Sequence, residues 1–354
     1  MQFGIQFFPD VTPEQKKADQ YWRECLHLTS LADEFGYTHI RTVEHHFVSY
    51  GGYSPNPHVF LAAAAMQTKN ARLITGAVLP IFNNPLKIAG EIGMLDAISG
   101  GRLECGFARA FLPHEFDGFN RNLNESKARF SEGLQQVKLL LEKENVTSDG
   151  EFHSFKNITV TPRTTQRPRP PIWIAALITP SSFEFAGKMG FNIMAIPLTG
   201  GKMNELIEIY RNAWQEAGHK GKGQVMLAHH MFCHEDRERA YELSREPLNR
   251  YLKSVVTSAS PWLTGSSSAD YPGYDKIIEQ LSKETFESQV DKGAAFVGTP
   301  EDINEQISTY IDMTGGFEIA SLQVNFNDLS LEHAEASMKL FGEKVIPNFI
   351  GPQI

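Results

Sequence analysis

Two rhythms of apolar and polar positions run along the chain. Short apolar runs, many of them β-branched, occur at 2–8 (QFGIQFF), 38–44, 72–79 (ARLITGAV), 103–108 (LECGFA), 172–176, 192–196, 224–232 and 320–325 (ASLQVN). Runs of this length without strict alternation suit strands buried on both faces. Between them, apolar positions recur with a period near 3.6, predicting helices over 20–35, 57–68, 86–98, 125–144, 180–189, 202–217, 236–256 and 331–343. Asn56 followed by Pro57 supplies a cap and a first helical residue. Two stretches break the rhythm. Residues 150–170 (GEFHSFKNITVTPRTTQRPRP) predict a hairpin-like insertion ending in a Pro-rich connector, and 257–295 predicts a polar insertion rich in Ser, Gly and Pro.

Eight strand–helix units in succession call for a parallel sheet covered by helices. A doubly wound sheet would carry its phosphate fingerprint after the first strand, and "FFPDVTPEQ" has no G-x-G-x-x-G. The expectation is one (β/α)8 TIM barrel, class α/β, forming a single domain over 1–354. Its insertions follow the strand 4 helix (150–170) and strand 7 (257–295, expected to be mobile).

Composition narrows the class. The 354 residues are 41% hydrophobic and 21% charged, enough for a large core, and the formal charge is −9 with no basic stripe to suit nucleic acid. Cys25, Cys105 and Cys233 are dispersed and odd in number, which fits a reducing compartment rather than a disulfide framework. The N-terminus enters a strand pattern directly, and no apolar run reaches about 18 residues. A cytoplasmic protein without membrane attachment is expected.

In a barrel of this kind, reactive groups lie where strands end. "EHHF" at 44–47 closes the second strand. His45 and His46 point to opposite faces of a strand and do not suit one metal ion, so no metal site is expected. The plain reading is one of them facing a cavity and the other hydrogen-bonded in packing. Arg109 lies just past strand 4, and Thr179, Ser181 and Ser182 open the helix after strand 5. A helix N-terminus and a guanidinium suit a phosphate, while plain capping and a rim salt bridge from Arg109 to Glu115 or Asp117 are the alternatives. His229, His230 and Asn325 also fall toward the rim, and Phe7, Phe8, Phe47 and Phe111 are expected to line the mouth. Glu91, Asp96 and Arg102 belong to the opposite end and read as ionic structure.

Taken together, "EHHF" (44–47), "GAVLP" (76–80), "LDAISGGRLECGFAR" (95–109), "RPPIWIA" (169–175) and "KLFGEKVIP" (339–347) resemble the bacterial luciferase-like flavin-dependent monooxygenases over nearly the whole chain. The resemblance implies reduced FMN, supplied by a separate flavin reductase, with O2 as cosubstrate, in a homodimer. It implies His45 as the catalytic histidine and a phosphate held by Arg109, Thr179, Ser181 and Ser182. A non-proline cis peptide around Thr75–Ala77 would cradle the flavin ring, and Gly76 and Ala77 would be cofactor-binding. Proton transfers near neutral pH suit a histidine. Ala108, where luciferase proper has a cysteine, and Ile178, where it has an acidic residue, point away from light emission. "GFARAFLPHEF" looks closer to members that oxygenate natural products, by hydroxylation or Baeyer–Villiger-type insertion, on a small substrate that is free or carrier-bound. The rival readings are a deazaflavin-dependent dehydrogenase or reductase on the same barrel and a non-catalytic flavin-binding protein. A metal hydrolase would want H-x-H after strand 1, which "QFFPD" lacks.

Overall fold

A computed structural model describes residues 1–197 and 202–350. The first half alternates strand and helix: β1 (Gln2–Phe7), α1 (Ala18–Ser30), β2 (His39–Thr42), α2 (Pro57–Gln67), β3 (Arg72–Thr75), α3 (Pro85–Ile98) and β4 (Leu103–Ala108). A short α4 (Pro113–Gly118) and the long α5 (Ser126–Glu142) follow, then an antiparallel hairpin of β5 (Val146–Asp149) and β6 (Ser154–Ile158). The pattern resumes with β7 (Ile172–Ala176), α6 (Pro180–Met189), β8 (Asn192–Ala195), α7 (Met203–Glu216), β9 (Val225–Cys233) and α8 (Arg237–Ala259). Three short helices, α9 (Pro261–Thr264), α10 (Tyr274–Leu281) and α11 (Phe286–Asp291), lead to β10 (Ala295–Gly298) and α12 (Pro300–Thr314). The described chain then adds β11 (Ile319–Gln323) and α13 (Leu331–Lys344).

Eight parallel strands close into a barrel in the order β1-β2-β3-β4-β7-β8-β9-β11, with β11 returning to β1. This is the expected α/β barrel. The helices start where the sequence chemistry says they should: Asn56 and Asn84 accept from the backbone N–H two residues on, each ahead of a Pro at the first helical position. Buried Ile74, Trp173, Met194, Met226 and Ile319 plug the barrel below the mouth, and a larger apolar layer fills the space between strands and helices.

Two elements escaped the hydrophobic pattern. β10 pairs in parallel with the C-terminal half of β9, beyond the length that β8 covers, and α12 follows it. A run of four residues, "AFVG", is too short to stand out from its polar surroundings. The 257–295 stretch is built of helices rather than open loop, anchored by the buried aromatics Trp262, Tyr271 and Tyr274. The hairpin strands begin at Val146, four residues ahead of the expected stretch. Among the described residues no helix is long and apolar enough to cross a membrane, and the three cysteines are free and buried.

Candidate active site

The mouth of the barrel opens into a cavity of about 1410 Å³, counted to its open end. His45, Gly76, Ala77, Arg109, Thr179 and Ser182 all line it. Residues from the ends of four separate strands thus converge, because parallel strands present all their C-terminal ends on one rim. Ser181 does not face this cavity. It lines an adjoining cleft with Lys127, Ser131 and Lys188, and the two spaces share Arg109, Ala175, Thr179 and Ser182.

The histidine pair divides between cavity and packing, although both lie past the end of β2 at Thr42 rather than in the strand, where the sequence pattern places them. His45 Nδ1 lies 3.0 Å from Glu115 Oε1, and the same oxygen accepts the backbone N–H of His46 at 2.9 Å. Glu115 sits on α4 and is fully buried. A carboxylate so placed fixes both the orientation and the tautomer of the imidazole, and Nε2 has no partner among the described residues. Phe8, Tyr50 and Phe111 surround the ring. His46 is absent from the cavity lining. Its Nε2 meets Glu44 at 3.1 Å, and Glu44 in turn accepts from Leu79 N and Asn83 Nδ2. The ring packs against Phe47, Phe82 and Phe119.

Where α6 begins, Thr179 occupies the cap position, yet its side chain makes no capping hydrogen bond. This differs from Asn56, Asn84, Asp236 and Ser330, whose side chains are all engaged. A helix N-terminus with uncommitted hydroxyls can receive an anion. Arg109 forms no ion pair with Glu115 or Asp117; its guanidinium lies 4.4 Å from the Tyr271 ring centroid, held from the face by an aromatic donated from the segment before α10. The peptide Gly76–Ala77 is cis.

Several rim assignments need correcting. Phe7 is fully buried against Phe60 outside the mouth, and Phe47 is 63% exposed on the outer side, with positive φ; only Phe8 and Phe111 reach the cavity. Asn325 turns away to donate to Cys25 Sγ at 3.2 Å. Glu91, Asp96 and Arg102 do lie away from the cavity. Asp96 receives Gln166, Glu91 faces His58, and Arg102 donates to four oxygens around Thr68.

Sequence reasoning missed Arg41, Gln6, Gln323, Tyr50 and Tyr251, which line the cavity, and Glu115, which orients His45. For Arg41 a signal existed: counting by two from His45 through Val43 reaches Arg41 on the same strand face. For Glu115 none did, since 70 positions separate it from His45. His229 and His230 also line the cavity. Burial pushes both imidazoles down to about 3, so they are neutral at ordinary pH. Among the described residues no group of three or more His, Cys, Asp or Glu could hold a metal ion.

Residues 1–315 match the family model of luciferase-like monooxygenases. A monooxygenase from Streptomyces bottropensis, RslO1, shares 38% identity, superposes with a TM-score of 0.88 and is matched over 99% of this chain and 100% of its own. The oxygenase component of the flavin-dependent trigonelline monooxygenase of Acinetobacter baylyi is 27% identical over 99% of this chain and 96% of its own. The oxygenating constituent of 3,6-diketocamphane monooxygenase of Pseudomonas putida, a type II Baeyer–Villiger enzyme in complex with FMN, is 22% identical. It covers 99% of both chains with a TM-score of 0.82 and shares the fold.

Proposed function

The chain belongs to the luciferase-like monooxygenase family, and from that premise we propose that it is the oxygenase half of a two-component system. In this reading a separate reductase delivers reduced FMN, and an oxygen atom from O2 goes to a small organic substrate, by hydroxylation or Baeyer–Villiger-type insertion. The observation that carries it is the continuity of one cavity from the His45–Glu115 pair to the uncapped start of α6. The trigonelline enzyme's description as an oxygenase component supports the division of labour.

The residues present fit the cofactor. Arg109, Thr179 and Ser182 would hold the phosphate, with Ser181 reaching it only from the outer cleft, and the backbone at Gly76–Ala77 would support the ring. Bound reduced flavin supplies the electrons that activate oxygen. His45, fixed through Nδ1 by Glu115, holds or moves a proton at Nε2. Phe8, Tyr50 and Phe111 keep bulk water from that nitrogen. Tyr271 of the 257–295 segment lies against the Arg109 guanidinium, and Trp262 donates to Phe111 O at 2.8 Å, so this segment would act as a lid over the mouth.

The outer faces of α2 and α3 support a homodimer: Val59, Met66 and Met94 are 71%, 76% and 59% exposed, an apolar strip more usual at interfaces than on a free surface.

The deciding experiment is anaerobic titration with reduced FMN and with a reduced deazaflavin, followed by measurement of oxygen uptake. Tight binding of reduced FMN is expected, and with NADH, oxidised FMN and oxygen the protein should consume oxygen only once a flavin reductase is added. Preference for the deazaflavin without oxygen uptake would sink the oxygenase reading in favour of a dehydrogenase.

A further inference from the structure

Arg41 on β2 is 4% exposed and lines the cavity. Its guanidinium donates to Gln6 Oε1 and, at 2.8 Å, to Gly76 O, while Nε has no partner. Among the described residues no carboxylate lies within ion-pair distance of it. Arg72, Arg169 and Arg211, all more exposed, are each paired with a glutamate. Burial pushes Arg41 down to about 10, which still leaves it charged at neutral pH. The neighbouring Tyr50 and Tyr251 do not neutralise it, because burial raises both phenols and keeps them protonated.

A buried cation without a counter-ion is costly, by several kcal/mol in typical cases, and its two neutral acceptors do not require a charge. The chain nevertheless makes room for it. A Cβ at Gly76 would sit 1.9 Å from Arg41 Nε and 2.6 Å from its Cγ, so glycine at this position is what lets the guanidinium pass beside the peptide.

We propose that Arg41 is the anion-binding group of the cavity floor, placed to meet a planar acceptor carrying negative charge. Two sources share that chemistry: the reduced flavin ring once it has lost its more acidic proton, and a substrate bearing a carboxylate or enolate. The first source rests on the flavin reading above; the second does not. Fixed positive charge beside a flavin favours its reduced, anionic state.

The test uses the full chain and the variants Arg41→Lys, Arg41→Met and Gly76→Ala, each checked by its melting curve. Oxidised and photoreduced FMN are titrated without oxygen, and benzoate serves as the carboxylate probe by thermal shift. If the flavin is the source, the preference for reduced over oxidised FMN falls roughly tenfold or more in Arg41→Met, the scale of a charged hydrogen bond lost. Arg41→Lys then retains part of that preference, and Gly76→Ala follows Arg41→Met by displacing the guanidinium. If an acidic substrate is the source, the FMN preference holds while stabilisation by benzoate disappears in Arg41→Met. Unchanged FMN preference together with unchanged benzoate response would overturn the proposal. So would an Arg41→Lys variant as impaired as Arg41→Met, since shape and not charge would then matter. Wild-type protein that binds neither redox state of FMN would fail the flavin reading instead, and the benzoate arm would still decide the role of Arg41.

Discussion

Two rows of side chains face each other across the barrel mouth. On one side His230, Gln323, Gln6 and Arg41 stand in register on β9, β11, β1 and β2. On the other, Ala108, Ala175 and Met194 stand in register on β4, β7 and β8. The first row is polar, buried and incompletely hydrogen-bonded: His230 Nε2 and Arg41 Nε have no partner, and Gln6 meets Gln323 only at 3.4 Å. The second consists of two alanines and a flexible thioether, whose side chains offer no hydrogen-bonding N or O. One wall carries the capacity for chemistry and the other makes space for a planar ligand; a cavity with two polar walls would hold water, and one with two apolar walls could not orient a reaction.

Breaking the polar side at its rim should have the largest effect. His45→Ala should lower product formation by roughly 100-fold, the usual scale for a general acid–base group. Hydrogen peroxide per reduced flavin should rise, with flavin affinity little changed. His46→Ala, whose ring lies outside the cavity lining and meets Glu44 from behind, should lower the melting temperature and leave coupling largely intact. Product and peroxide are measured together on both variants, and uncoupling by His46→Ala alone would reverse the assignment.

Next in size is the phosphate end, beyond β4 and β7. Arg109→Ala should weaken FMN binding by about 1.5–3 kcal/mol, the cost of a charged hydrogen bond left unmade. Riboflavin, which lacks the phosphate, should bind wild type and variant alike. Equal losses for both ligands would make Arg109 a structural residue held by Tyr271.

The apolar wall gives the complementary result. Ala175 lies where the cavity and the outer cleft join, and a larger side chain there must fill ligand space. Ala175→Leu should reduce FMN and riboflavin affinity together, by about tenfold, within the range of overpacking costs. A variant that binds both normally would show that the ligand does not lie against this wall.

The smallest effect is on stability, and its sign follows from the polar row. His229 and His230 titrate near 3 when folded, against an ordinary value of 6.5. Between those values the unfolded chain binds protons that the native state refuses, so stability is full above pH 6.5 and is lost as pH falls. Asp10, raised to about 7 by burial, acts in the opposite direction over about pH 4 to 7. His39 and His153, also lowered by burial, add to the histidine side, so stability rises with pH between roughly pH 4 and 6. Denaturant titrations across this range should show that rise, and His230→Phe should reduce its slope by about 1.4 kcal/mol per pH unit. An unaltered slope in that variant would mean His230 is not buried neutral.

The chain's own pattern determined the barrel. Eight buried-strand runs separated by amphipathic helices admit few other parallel arrangements. It also brought His45, Gly76, Ala77, Arg109, Thr179 and Ser182 to one rim, because each follows or ends a strand and parallel strands share their C-terminal face. Alternation predicted that His45 and His46 would part, but both lie past the end of β2, and Glu115 and Glu44 fix their rings. What the pattern left open needed distances between residues remote in sequence. The partnership of His45 with Glu115, the turning of Asn325 toward Cys25, and Ser181 facing the outer cleft are set by loop paths and helix rotation, which leave no periodic trace. The absence of an acidic partner for Arg41 is likewise a property of the packed barrel. The sequence contains 42 acidic residues, and only the tertiary structure decides that none of those described stands beside this cation.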